Sequence, residues 1–283
     1  MRTLRNYDFA NFSQKQIFHR YFDLAKLLTV PKYTIEKEKF NKLELFRSRL
    51  NINIEKEDIN LVSTYSYPPP SFCIENGRAN LKNKTVFYCS DEVVTAINES
   101  RPKNGDEVFL SIWKPITTRD IECSVCLPHN LNTKNRWSGI AKEVFEKLIK
   151  YYGEQAQSKS EHFIELNRFL TELFLNEKKP YSLTSMISNE HLYNGDGNSW
   201  KDFLVYPSSA TNSVYCNLAI HPNFVNSNLE LVKVINLKIK GEVDKFFKFN
   251  IIKVGELKGN KMIWRANNSE DSKYFSTTMD PKF

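Results

Sequence analysis

The sequence is poor in glycine, with 9 in 283 residues, roughly half the usual share. Neither a GxGxxG turn nor a GxxxxGK[ST] loop occurs, so the glycine-rich backbone cradles that hold nucleotide phosphates are excluded. Any phosphate must be gripped mainly by side chains. Arginine suits that task, because its planar fork donates two parallel hydrogen bonds and never loses its charge. No apolar run approaches the roughly 18 residues a membrane span needs, and no apolar leader follows the opening Met1-Arg2-Thr3-Leu4-Arg5. A cytoplasmic protein with no membrane partner is expected. The five cysteines are odd in number and scattered apart from Cys123 and Cys126, which argues against a secreted disulfide framework.

What is present is ordinary globular material. Charged residues make up 26% of the chain, which is close to the globular average and argues against wholesale disorder. Forty basic residues against 33 acidic ones leave a formal charge of +7, which allows an anionic partner. Lysines and acids alternate, as in 35–42 and 142–150, a pattern of solvated helix faces rather than of a nucleic-acid stripe. An anionic small molecule fits the charge; nucleic acid is not the expected partner.

Ser13-Gln14-Lys15-Gln16 has the form of a capping box, with Ile17, Tyr21, Leu24 and Leu28 following at helical spacing up to Pro31. A second, more polar helix is expected from Thr34 to about Phe46. Beyond it the texture turns strand-like: 60–67 is rich in β-branched and aromatic residues, and Pro68-Pro69-Pro70 forces an extended connection. Thr85–Cys89, Glu107–Trp113 and Asp120–Leu127 read as strands, with a short helix capped by Ser90-Asp91-Glu92 running to about Glu99. Apolar residues four apart in Gly139–Tyr152, and again after Ser160, predict a helical hairpin. Strands are expected at Asp202–Tyr206, Asn217–His221, Leu229–Lys240, Phe246–Val254 and Lys261–Arg265. The whole reads as α+β.

Three segments carry candidate chemistry: Gly77-Arg78-Ala79-Asn80; Val86–Ser90 with Thr95–Pro102; and Tyr206–Ala210 with Asn217–Ile220. Taken singly, each has an ordinary explanation. Arg78 could decorate a turn, Tyr88 could be a core aromatic, and Ser208 after a proline could mark a turn. Periodicity leaves Glu99 away from the apolar face of its helix, as a solvated carboxylate. Competing motifs are weaker. Cys123-Ser124-Val125-Cys126 lacks the second ligand pair a zinc site needs, and two strand thiols on opposite faces are the simpler reading. The five histidines form no ligand pattern, and Ser208 or Ser209 has no GxSxG elbow. No metal is expected.

In this chain order the three segments resemble the RES family, which is named for an arginine, a glutamate and a serine. Leu45-Phe46-Arg47-Ser48-Arg49 resembles the family's opening strand, and the prolines at 68–70 match a pair carried by longer members. The likeness covers about 46–117 and 181–237. It implies an ADP-ribosyltransferase-like core of mixed or antiparallel strands and an activity that consumes NAD, in many members as a toxin restrained by an antitoxin or immunity protein. Carried over by position, Arg47 and Arg78 would grip NAD, Tyr88 would pack on the nicotinamide or its ribose, and Glu99 would be the catalytic carboxylate. Ser208 would bond near the reacting ribose, with Asn80 and Asn217 as further binding residues. The compact family core would be 46–283, preceded by a helical extension over 1–45 and interrupted by a helical insertion at about 136–179. The expected activity is an NAD glycohydrolase or phosphorylase. A protein ADP-ribosyltransferase at the same site is the alternative enzyme, and a non-catalytic regulatory or nucleic-acid-binding protein the alternative of another class.

Overall fold

The computed structural model describes residues 11–25, 32–193, 201–243 and 246–278. The first helix, α1 (Gln14–Ala25), begins as its capping box predicts. The Ser13 backbone N–H donates to Gln16 Oε1 at 2.9 Å, and the Gln16 N–H returns to Ser13 Oγ at 3.4 Å. The expected continuation through Leu28 to Pro31 lies outside the described residues.

The expected helix over 34–46 is not there. Lys32–Ile35 is a strand, β1, followed by a single helical turn, α2 (Lys37–Phe40), and by strand β2 (Leu45–Leu50). Tyr33, Thr34 and Ile35 are aromatic or β-branched, types that fit a pleated surface better than a helix. Cross-strand bonds then fix the strand: Thr34 Oγ1 donates to Glu122 at 2.6 Å, and Lys32 pairs with Glu122 at 2.8 Å. The 60–67 stretch, strand-like in composition, closes as a 3-10 turn at Val62–Tyr65 with Thr64 and Tyr65 buried.

The remaining strands are β3 (Phe87–Cys89), β4 (Glu107–Pro115), β5 (Ile121–Val125), β6 (Phe203–Pro207), β7 (Cys216–Ile220), β8 (Leu229–Val243), β9 (Phe246–Lys258) and β10 (Lys261–Arg265). They form two five-stranded sheets. One has the order β1-β5-β6-β7-β3, antiparallel except for β5 beside β6; the other is β10-β9-β8-β4-β2 and antiparallel throughout. The later helices are α3 (Val93–Ser100), α4 (Ser138–Gln155), α5 (Gln157–Asn176), α6 (Ser182–Leu192), α7 (Pro222–Asn228) and α8 (Ser269–Thr278). The chain is thus α+β. Among the described residues no helix is long and apolar enough to cross a membrane.

Strand alternation sorts the apolar side chains into layers. Phe203 and Val205 of β6 face a cluster shared with Phe109, Trp113 and Val234 of the second sheet, so the two sheets meet across it. Their β6 neighbours Leu204 and Tyr206 face the opposite way, onto α1, α5 and α6 through Tyr21, Phe174 and Met186. A strand covered on both faces needs no polar alternation, and every residue of β6 is buried. On the outer face of the second sheet, Val108, Leu110 and Ile112 of β4 pack against Val93, Ala96 and Ile97 of α3 and Phe275 of α8. Cys123 and Cys126 fall into two different clusters, on opposite faces of the first sheet.

The sheets are also joined through the backbone. The Phe46 N–H donates to the Ser90 carbonyl at 2.7 Å, and the Ser90 N–H returns to Phe46 at 2.9 Å. This pair ties the start of β2 to the chain leaving β3. The seam brings β2, β3 and α3 together beside the ends of β6 and β7.

Candidate functional site

At that seam lies a cavity of about 390 Å³, bounded by Arg47, Arg78, Tyr88, Glu99, Arg101, Tyr181 and Asn217 among others. Three guanidinium groups and one carboxylate therefore face a common space. Residues drawn from both ends of the RES-like pattern meet here, although nothing local in the sequence requires it.

Glu99 sits in the last turn of α3, whose apolar face is spent on the second sheet. Periodicity places it off that face, as expected, yet it is not left to solvent. Ser208 Oγ and Asn217 Nδ2 both donate to Glu99 Oε1, each at 2.6 Å, across 109 and 118 residues of sequence. Its other oxygen accepts no hydrogen bond among the described residues, and Glu99 lines the cavity. Two short donors on one oxygen of an acid fix its rotamer.

Ser208 lies against the back of Glu99. It is completely buried and does not border the cavity; its hydroxyl serves Glu99 from behind. Of the two neighbouring serines, Ser208 is the one whose hydroxyl donates to Glu99, and Ser209 is half-buried. Asn80 is likewise set back. It is buried, donates to the carbonyls of Leu81 and Lys84, and accepts the Tyr88 hydroxyl at 2.8 Å.

Tyr88 is held by its polar end. Its hydroxyl gives to Asn80 and takes the Ala79 N–H at 2.7 Å, while its ring borders the cavity. The Gly77–Asn80 turn makes this possible. A Cβ at Gly77 would fall 2.3 Å from Asn80 Oδ1 and 2.7 Å from the Tyr88 hydroxyl. Burial pushes the phenol pKa up, so Tyr88 stays neutral at physiological pH.

The arginines differ in how far they are satisfied. Arg49 is neutralised, reaching Glu57 with two bonds at 2.7 and 3.0 Å. Arg47 is not. One of its nitrogens donates to the Tyr88 carbonyl at 3.0 Å, and its Nε is buried without a partner. Burial, with the charge of Arg49 nearby, pulls the Arg47 pKa down to about 10, which still leaves it charged at neutral pH. A cation this poorly satisfied and facing a cavity is a standing attraction for an anion. Arg78 donates to the Phe174 carbonyl near the end of α5, and its Cζ lies 4.9 Å from the Tyr181 ring centroid.

Arg101, Tyr181 and Tyr206 also border the cavity, and sequence reasoning gave them no role. Tyr206 of β6 packs its ring at a tilt against Phe174 of α5, centroids 5.1 Å apart. Tyr181 lies beyond the α4–α5 hairpin and only the fold delivers it here. No protein-family model matches the sequence, and no curated protein does either.

Proposed function

We propose that this cavity binds NAD and that the protein breaks its nicotinamide–ribose bond, passing the ADP-ribosyl group to water or phosphate as the new partner of ribose C1. The single observation that carries the reading is Glu99: a carboxylate with one oxygen fixed by Ser208 and Asn217 and the other unengaged, facing a cavity it shares with three arginines. On this reading the chain is a long relative of the RES family with an ADP-ribosyltransferase-like core. The α4–α5 hairpin is then the family core's helical insertion.

The chemistry follows from the groups present. Breaking an N-glycosidic bond develops positive charge on the ribose, and a preorganised carboxylate beside that centre stabilises it. The free oxygen of Glu99 is the atom for this task, because Ser208 and Asn217 already hold the other. Nicotinamide leaves neutral, so no strong general acid is needed. The Tyr88 ring, its hydroxyl tied away from the cavity, offers its face to the pyridinium. That cation–π attraction is strongest in bound NAD and fades as the charge leaves the nicotinamide ring, so it serves binding and the release of neutral nicotinamide, while the barrier is lowered by Glu99. Arg47 and Arg78 take the pyrophosphate, and binding energy at that remote end positions the reacting one. An enzyme that drains NAD in this way would act as a toxin unless an antitoxin or immunity protein restrained it.

The test is nicotinamide release from NAD by the purified protein and by Glu99→Gln, which keeps the shape and removes the charge. A loss of about 100-fold or more is expected. Equal rates in the two proteins would remove Glu99 from the mechanism, and absence of release by the wild type would end the reading.

A further inference from the structure

Six non-glycine residues among those described have positive φ: Asn51, Asn83, Arg101, Tyr181, Asn212 and Ser213. Three are asparagines, whose short polar side chains make the left-handed region comparatively cheap, and Ser213 is also small. Arg101 and Tyr181 have no such excuse. Arg101, at φ 52°, ends α3 where glycine is the usual choice. It also precedes Pro102, and a following proline disfavours helical conformations of either hand. Tyr181, at φ 53°, precedes α6 and is a bulky aromatic. These two costly positions, far apart in sequence, border the same cavity.

The backbone around Tyr181 is held firmly enough to sustain its conformation. Glu177 accepts the N–H groups of Leu183 and Thr184, both at 2.9 Å, and so caps the start of α6 from the preceding turn. The tyrosine ring then lies over the Arg78 guanidinium, whose other anchor is the Phe174 carbonyl. Arg78 is thus bracketed by two groups from the end of the inserted hairpin and the turn after it. Arg101 is exposed, and its side chain has no hydrogen-bond or ion-pair partner among the described residues; its backbone N–H ends the helix on the Asn98 carbonyl at 3.0 Å.

Strain kept at two unrelated places around one cavity, where glycine would remove it, points to the side chains themselves. We infer that Arg101 is a third phosphate-binding arginine and that Tyr181 is a positioning residue, holding Arg78 toward the same diphosphate. The assignment rests on the NAD reading and extends it: the inserted segment completes the pyrophosphate pocket.

Glycine substitutions separate side chain from backbone, because they relieve the strain while deleting the group. In the full chain, Arg101→Gly and Tyr181→Gly should melt at or above the wild-type temperature. Each should bind ADP-ribose at least about tenfold more weakly by titration calorimetry. For NAD cleavage, KM should rise by a similar factor with kcat little changed. Tyr181→Phe, which keeps the ring, should restore wild-type binding. Wild-type affinity in either glycine variant overturns its half of the inference while leaving the NAD reading intact. So does a lower melting temperature, repeated in the corresponding asparagine variant, because the side chain would then serve the fold. If the wild-type protein itself binds no ADP-ribose, the inference and the reading fall together.

Discussion

Arg47 carries the tension between stability and function in its sharpest form. Its Nε is buried without a partner, and one carbonyl bond partly compensates the rest of the guanidinium. Buried charge without full pairing is costly, and replacing it with an apolar group of similar length is often neutral or stabilising. Arg47→Met is therefore expected to raise the melting temperature of the free protein by about 2 °C or more. The same change should abolish the upward shift in melting temperature that ADP-ribose gives the wild type. Thermal melts with and without the ligand check both halves; a less stable free variant would contradict this account of the residue. The roles of single side chains were only partly readable from sequence. Arg47 and Arg49 are equivalent on paper, yet Glu57, eight residues past Arg49, claims one and leaves the other. Ser208 and Asn80, both singled out in sequence, lie one layer behind the cavity, where Ser208 donates to Glu99 and Asn80 accepts from Tyr88.

At the scale of elements, α3 carries Glu99 in its last turn and follows an acidic pair, buried Asp91 and partly buried Glu92, at its start. Asp91 is buried, receiving the Trp137 indole N–H at 3.1 Å and pairing with Arg136 at 3.4 Å. Burial, then the charge of Asp91, raises Glu92 at the helix start to about 7. An unfolded glutamate titrates near 4.3. Between those values the folded protein holds a proton that the unfolded chain has released, so this group's contribution is fully present below about pH 4 and is lost as pH rises through 7. Glu92→Gln should consequently match the wild type at pH 4 and exceed it in stability at pH 8, measured by denaturant unfolding at both. A variant that is less stable at pH 8 would contradict the assigned sign. Strands were the most legible elements: β10 falls on its expected limits, and β4, β6, β7 and β8 within a few residues of theirs, since alternation and turn residues mark them locally. The polar stretch around 37–42 misled for an equally physical reason. Alternating lysines and glutamates suit any solvated surface, and the short run Tyr33–Ile35, strand-like in its residue types, pairs with β5.

For the whole molecule, the N-terminal segment is integral to the layering. β1 closes the edge of the first sheet against β5, and Ile17 and Tyr21 of α1 belong to the helix-side core. Removing residues 1–36 would bare the β5 edge and empty the core positions of Ile17, Tyr21 and Ile35. A loss of about 3 kcal/mol or more and a tendency to aggregate are expected. Unfolding and light scattering of the truncated chain would measure both; a truncation as stable and monodisperse as the full chain would restore the picture of a separable extension. The α+β class was legible from the order of periodic segments, and the helical pair between β5 and β6 from its four-residue spacing. The cavity was not, since it depends on contacts such as Glu99 to Asn217, 118 residues apart, that no local pattern encodes.

The turn at Gly77 gives the scarcity of glycine a counterpart. One methyl group added there would act as a wedge, forcing apart the amide and the phenol that steady each other behind the cavity wall. In a chain that uses this smallest residue so sparingly, one copy stands where nothing larger has room.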